Sequence, residues 1–432
     1  MVRRCATKAL LLITLAPAMA KGQMPLNCEA AAQGNGPLFH VTSNCSKGAD
    51  GSVKCGGGND ANAVFLSRGV WHIMNQRGAG SGWNHATSTD GAHWKHRPDA
   101  INLHSAGYRL GGACDGTLSF PDLGRQPYNG SIPIILYGPS CNSNFSSIQG
   151  RGSLGAGVGD YPHFTAAFPA NPTDPFFVDQ FTPNTAMVTF NSTMRCSFPG
   201  RVWKSAKGEY WNMVCVPNNG PAPHTENGVN YARYTTTDST LMSGWTLADL
   251  NFVRGLPPGG HPCSGTQWSK KYNTSDLRHW ECAGNANLHR IPGTAAGATV
   301  THILSDNTLG KFWLGVYDPA TEAFTISRDF PQPVQVLSPE GGTFWALGSQ
   351  GPDPASETSR LFAVGWGPGH DTLLFELGWD PHSDGLVVRP TPELQLLRNA
   401  TLVANASVLV PPHAPVTVPV DPNPNPNPNP KP

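Results

Sequence analysis

The chain has 432 residues, and Gly 48 with Pro 41 makes up about a fifth of it, against a background of roughly 12%. That density of backbone breakers excludes a helical bundle, a coiled coil and an uninterrupted α/β barrel. Charged residues are only 13%, and 29 Lys+Arg balance 29 Asp+Glu, so the chain lacks the electrostatic footprint of a binder of nucleic acid or anionic membrane.

The N-terminus reads as an address. Arg3, Arg4 and Lys8 precede the apolar run Ala9–Ala16, and Ala18-Met19-Ala20 has the small-x-small form that signal peptidase cuts. The run is too short to span a bilayer. Residues 1–20 are therefore expected to be a signal peptide and the product to be secreted. Sequons at Asn44, Asn129, Asn144, Asn191, Asn273, Asn399 and Asn405 agree with that route. Beyond the signal, Cys28, Cys45, Cys55, Cys114, Cys141, Cys196, Cys215, Cys263 and Cys282 form an odd set. Most should pair in an oxidising compartment, and which pairs form is not legible. Cys28, Cys45 and Cys55 are close enough in sequence to stiffen the entry to the domain. No C-x-x-C occurs, and no metal or organic cofactor is expected.

Short apolar or alternating runs then follow one another, each closed by Gly, Asn, Asp or Pro: 63–66, 70–74, 132–137, 210–214, 311–316 and 361–366. No segment holds a 3.6-residue period over twelve residues, so the fold class is all-β. An internal echo refines this. Ala86–Trp94 and Tyr234–Trp245 both read as a strand ending in Thr/Ser-x-Asp, a turn and a Trp; Asp caps the turn and Trp fills the space between neighbouring sheets. The length from Cys28 to Asn399 accommodates five four-stranded blades; a large β-sandwich is the competing architecture. After Asn399 comes one candidate strand, 407–410, and then an Asn-Pro repeat that cannot pack a core. The expected organisation is one five-bladed β-propeller domain over 21–398 and a Pro-rich disordered tail over 399–432.

Five ordered stretches carry a resemblance. Gly58-Asn59-Asp60-Ala61-Asn62-Ala63, with the strand Val70–Gln76 after it, is similar to a W-M-N-D-P-N-G box and its following strand. Trp83-Asn84-His85-Ala86-Thr87-Ser88-Thr89-Asp90-Gly91-Ala92-His93-Trp94 is similar to W-G-H-A-x-S-x-D-L-x-H-W, and Trp280-Glu281-Cys282 to W-E-C-P-D. Gly315-Val316-Tyr317-Asp318 and Arg389-Pro390-Thr391-Pro392-Glu393-Leu394 match G-x-Y-D and R-P-V-x-E-L. Together they resemble glycoside hydrolase family 32, the invertases and fructan hydrolases built on a five-bladed propeller.

The resemblance implies a retaining glycosidase with Asp60 as nucleophile and Glu281 as acid/base, flanked by Trp280 and Cys282, which would help Glu281 keep its proton. It implies Asn59, Gln76 and Trp83 as substrate contacts, since amides bond ring hydroxyls and an indole stacks on a sugar face. Trp71 fits either the pocket wall or the core, and His85 either the pocket or a loop brace. The implied partner is a carbohydrate, with β-fructofuranosides such as sucrose or fructans first; the sequence sets no oligomeric state.

Three departures bear on activity. The family's third carboxylate, in an R-D-P box before a Trp, corresponds to Ser197-Phe198-Pro199 before Trp203, and Phe198 cannot accept sugar hydroxyls. Asp115, in Gly112-Ala113-Cys114-Asp115-Gly116-Thr117, falls where the family has W-S-G-S-A-T and is the candidate substitute stabiliser; a turn Asp is its plainer role. In the first box Gly57 and Gly58 stand for Trp-Met, Ala61 for Pro and Ala63 for Gly, differences that open the wall. The β-sandwich that usually follows this propeller is not expected in the roughly 30 remaining residues. The rival readings are a sugar-binding propeller that lost turnover and a related furanosidase directed at arabinan or xylan.

Overall fold

The structure, a computed structural model, describes residues 45–47, 53–55, 58–77, 82–102, 116–121, 132–138, 164–183, 188, 199–215, 231–257, 286–306, 311–335, 344–349, 360–367 and 370–397. Among the described residues the regular elements are strands, with a 3₁₀ turn at Pro392–Leu397. A short hairpin, β1 (Cys45–Lys47) and β2 (Val53–Cys55), comes first, and its register sets Cys45 opposite Cys55.

Five antiparallel sheets follow in chain order. Blade 1 is β3 (Gly58–Ser67), β4 (Val70–Arg77), β5 (Gly82–Ser88) and β6 (Lys95–Asn102). Blade 2 is β7 (Gly116–Ser119), β8 (Ile134–Tyr137), β9 (Thr165–Pro169) and β10 (Phe181–Pro183). Blade 3 is β11 (Val202–Lys204), β12 (Trp211–Cys215), β13 (Ala232–Thr236) and β14 (Thr246–Asp249). The chain then adds β15 (Val253–Arg254) in parallel to the outer edge of blade 4, which is β16 (Asn287–Arg290), β17 (His302–Asp306), β18 (Lys311–Asp318) and β19 (Ala323–Ile326), with β20 (Val334–Gln335) on β18. Blade 5 is β21 (Phe344–Ser349), β22 (Leu361–Gly367), β24 (Phe375–Asp380) and β25 (Gly385–Pro390), with β23 (His370–Asp371) on β22. All six strand expectations fall on strands, and the architecture is the five-bladed propeller.

The period of two explains how the ring closes. Successive side chains of a strand point to opposite faces, and here each face meets another blade. In β8, Ile134 and Leu136 join blade 3 while Ile135 and Tyr137 join blade 1. In β22, Phe362 and Val364 pack on blade 1 while Leu361 and Ala363 pack on blade 4. Five apolar cores result, one per seam: blades 1–2, 2–3, 3–4, 4–5 and 5–1. The last closes the ring, with Trp71 edge-on to Phe362 at 4.5 Å. Such strands are buried on both faces, which is why the sequence affords few charges.

The echo seen at two places is a feature of all five blades. The hairpin from third to fourth strand turns on Asp90, Asp174, Asp238, Asp318 and Asp380 in turn, each carboxylate accepting backbone N–H groups two to four residues ahead. Only blades 1 and 3 follow it with a Trp. Trp94 fills the 5–1 seam and Trp245 the 2–3 seam, edge-on to Phe164.

Candidate active site

The first strands of the blades, β3, β7, β11, β16 and β21, surround the axis. Thr117 of blade 2 donates to Asn287 Oδ1 of blade 4 at 2.9 Å, and the Arg201 N–H at the start of blade 3 donates to the same oxygen at 2.8 Å. Blades 2 and 4 are not neighbours, so this contact crosses the axis. Ser119 Oγ accepts the Val202 N–H at 2.8 Å, and the Arg201 guanidinium donates to His289 Nδ1 at 3.0 Å. All five side chains are buried. Burial, and after it the positive charge of Arg201, pushes His289 well below the usual imidazole range, so it is neutral. An arginine can only donate, which assigns the proton to Nε2. Gly200 is required beside this layer: a Cβ there would meet Ala286 O at 2.1 Å and Val214 O at 2.4 Å.

Blade 1 meets this axis with an irregular strand. In β3, Gly58 lies opposite Arg77 and Ala61 opposite Asn75, with a second register shift before Ala63. The first interval therefore sets three residues against two, and the second sets two against one. Such bulges bend a strand and re-aim its side chains, and they gather beside active sites. The parity switch is visible in the packing, since Ala61 and Val64 face blade 5 whereas Ala63 and Phe65 face blade 2. Asn59 and Asp60 lie within the first bulged interval.

Gln76 of β4 lies opposite Trp83 of β5, immediately beside that interval. Both are buried. Trp83 stands edge-on to Tyr137 at 6.4 Å, and its ring presses on Gly116, where a Cβ would come within 2.8 Å of it. Gly116 opens β7 and follows Asp115 directly in the sequence. The structure thus brings the strand segments of Asn59, Asp60, Gln76, Trp83 and the residue after Asp115 to one corner of blades 1 and 2. Asp115, Phe198 and Glu281 themselves lie outside the described residues; in sequence they precede the axial strands β7, β11 and β16 by one, four and six positions.

Two residues resolve differently from a sugar contact. Trp71 is core, wedged between Phe362 and the Arg360 side chain in the 5–1 seam. His85 is buried and bonded to His72, ring nitrogen to ring nitrogen, at 3.0 Å. Burial pushes His85 down to about 3, so that pair is a neutral brace inside blade 1.

The side chains that sequence reasoning missed are the axial set, Thr117, Ser119, Arg201, Asn287 and His289, and Asp371 of β23. Asp371 is fully buried and accepts from Asn75 Nδ2 at 2.6 Å, across the 5–1 seam. Burial raises its carboxyl to about 8, and the Asn75 bond opposes that rise only in part. Thr117 ends the stretch compared with W-S-G-S-A-T and Arg201 lies between Pro199 and Trp203, whereas Ser119, Asn287, His289 and Asp371 lie outside the matched stretches. What marks them is polarity inside an otherwise apolar strand.

The blades form a five-bladed propeller. Two solved structures share it: fructan 1-exohydrolase IIa from Cichorium intybus, one form of which holds 1-kestose (TM-score 0.51, 18% identity), and exo-inulinase from Aspergillus awamori (TM-score 0.50, 16% identity). The superposition on the first covers 84% of this chain and 62% of that one, and on the second 83% and 67%. Among curated proteins, a fructan beta-fructosidase from Streptococcus mutans is 41% identical over 66 residues, which is 14% of this chain and 5% of that protein. No protein-family model matches the chain. The fold is that of the fructosidase propellers, as the resemblance in the sequence implies.

Proposed function

We propose that the chain is a secreted retaining glycoside hydrolase that cleaves β-fructofuranosides. In this reading the Asp60 carboxylate attacks the anomeric carbon while Glu281 gives its proton to the departing oxygen. Glu281 then takes a proton from water, whose oxygen displaces Asp60 and releases the sugar. The two carboxyls must stand about 5–5.5 Å apart for this outcome. Gln76 would bond ring hydroxyls, Trp83 would form the apolar wall and Asp115 would replace the missing third carboxylate.

The observation that carries the reading is the corner of blades 1 and 2. Residue 60 sits in a bulge at the start of the axial strand, directly beside the buried Gln76–Trp83 pair. The fructosidase fold and the 66-residue match support it. The disulfide at Cys215 accords with the secretory route. A second reading, a sugar-binding propeller without turnover, is favoured by Phe198.

The test is release of reducing sugar from sucrose, inulin, levan and arabinan by the purified protein, D60A and E281A. Loss of a nucleophile or of its proton partner should lower kcat by about 10³-fold or more. Activity untouched by either change refutes the site. Tight sugar binding without hydrolysis in the wild type supports the second reading, and activity on arabinan alone moves the specificity to that furanoside.

A further inference from the structure

We propose that Asp371 and Asn75 form a positioning pair that fixes the Asp60-bearing strand across the seam between the last blade and the first. This inference rests on the reading of Asp60 as nucleophile.

A bulged strand gives up part of its ladder, so its course depends on what its neighbour is tied to. The neighbour here is β4, and both residues that frame the first bulged interval are anchored. Arg77, opposite Gly58, is paired with Asp99 of β6 within blade 1. Asn75, opposite Ala61, donates its amide to Asp371 of blade 5. The second anchor crosses the seam where the propeller closes, where β21 and β22 pack on β3.

Asp371 is itself held rigidly. The next residue, Thr372, donates its N–H to Gly365 O at 2.7 Å and accepts the Gly365 N–H on its hydroxyl at 2.9 Å. Position 371 therefore cannot shift without breaking the β22–β23 turn. A carboxyl is a costly group in such a place, since an amide would accept the same bond without the penalty of burying a charge. Burial raises its carboxyl to about 8, against the Asn75 bond. At neutral and mildly acid pH it is the neutral acid, both acceptor and donor. As pH rises through about 8 it becomes a buried anion, and the seam beside Asp60 bears the cost.

The experiment compares D371A, D371N and N75A with wild type and D60A, reading kcat and KM on the hydrolysed fructoside from pH 4 to 9, together with thermal midpoints over the same range. D371A and N75A should lower kcat about 10- to 100-fold, the scale of a misplacement near 1 Å, with KM within about twofold because the Gln76–Trp83 wall is untouched. D371N should restore most of the D371A loss, because its amide oxygen accepts from Asn75. Loss of the Glu281 proton gives wild type and D371N alike an alkaline fall in kcat, so the carboxyl at 371 is read from stability: the thermal midpoint of D371N should exceed that of wild type at pH 8 and converge with it near pH 4. Wild-type kcat in D371A and N75A, or a D371N no more active than D371A, overturns the positioning role while an inactive D60A keeps the site reading intact. An active D60A, or a wild type without hydrolysis, sinks both.

Discussion

Replacing Glu322 by alanine removes one acceptor from three donors. Glu322 closes the Asp318 hairpin of blade 4 and reaches into the seam with blade 3, where Arg233 donates to its Oε2 at 2.8 Å and Asn212 to its Oε1 at 3.2 Å, with Tyr210 OH donating beside them. The ion pair is nearly dry, with 10% and 8% of the two side chains exposed. Arg233 already lacks a partner at Nε, so after E322A its guanidinium would retain only the Asn212 carbonyl, at 2.8 Å, among these bonds. Removing one partner of a buried pair costs about 3–5 kcal/mol, a large part of the roughly 5–15 kcal/mol that holds a domain. Backbone strain does not confuse the result. Glu322 has φ +52°, and alanine keeps the Cβ that makes this conformation unfavourable. Urea unfolding followed by tryptophan fluorescence should show the loss as a fall in midpoint at constant slope. The double variant E322L/R233M should recover most of it, because two apolar side chains leave no orphaned charge. A loss below about 1 kcal/mol in E322A, or no recovery in the double variant, would refute the reasoning.

The turn aspartates set the acid limit. Partial burial pushes Asp90 and Asp238 up, but the bonds from His93, Ala92 and Ser88 to the first, and from Thr240 and Ser243 to the second, outweigh it. Bonds from Thr321 and Ala320 hold Asp318 below its ordinary value, as those from Ser383 and His382 hold Asp380. Depressed carboxyls contribute stability that is present above about pH 4 and lost as pH falls through their folded values. Converting the four to Asn, which keeps the acceptor oxygen, should flatten the fall in thermal midpoint below pH 4; an equally steep fall disproves the assignment. With Asp115 in the place of the third carboxylate, D115N should lower kcat by roughly 10²–10⁴-fold, the scale of a transition-state contact, and an unchanged kcat would show that Asp115 does not fill the role. Finally, G116A drives a methyl into Leu136 O at 2.2 Å and Tyr137 Cα at 2.8 Å. Its thermal midpoint should drop and its sugar affinity should fall with the displaced Trp83; wild-type values for both would show that β7 does not support that wall.

The strands were legible in the residues themselves, and the chain length already accommodated five blades. Alternation in β8 and β22, Gly and Pro between runs, and Asp in the turns are local properties, written in neighbouring residues. They also carried the resemblance that named Asp60, Gln76 and Trp83. Trp71 was not decidable in this way, because the same residue in the same strand serves a pocket or a seam according to which blade lies opposite. Tertiary structure placed Phe362 there. It also showed the five-fold recurrence of the Asp turn, which the sequence hid because three of the blades lack the Trp that made the other two visible. Above all it decided the polar groups at the axis and at the closure. Thr117 and Asn287 are 170 positions apart, and Asn75 and Asp371 are 296 apart. No local pattern links such pairs, since their meeting depends on the ring closing after the fifth blade. The low charge of the chain accords with that closure as well: strands buried on both faces tolerate few carboxylates, and among the described residues several carboxylates serve turns, pair with arginines or lie beside the strand that carries Asp60.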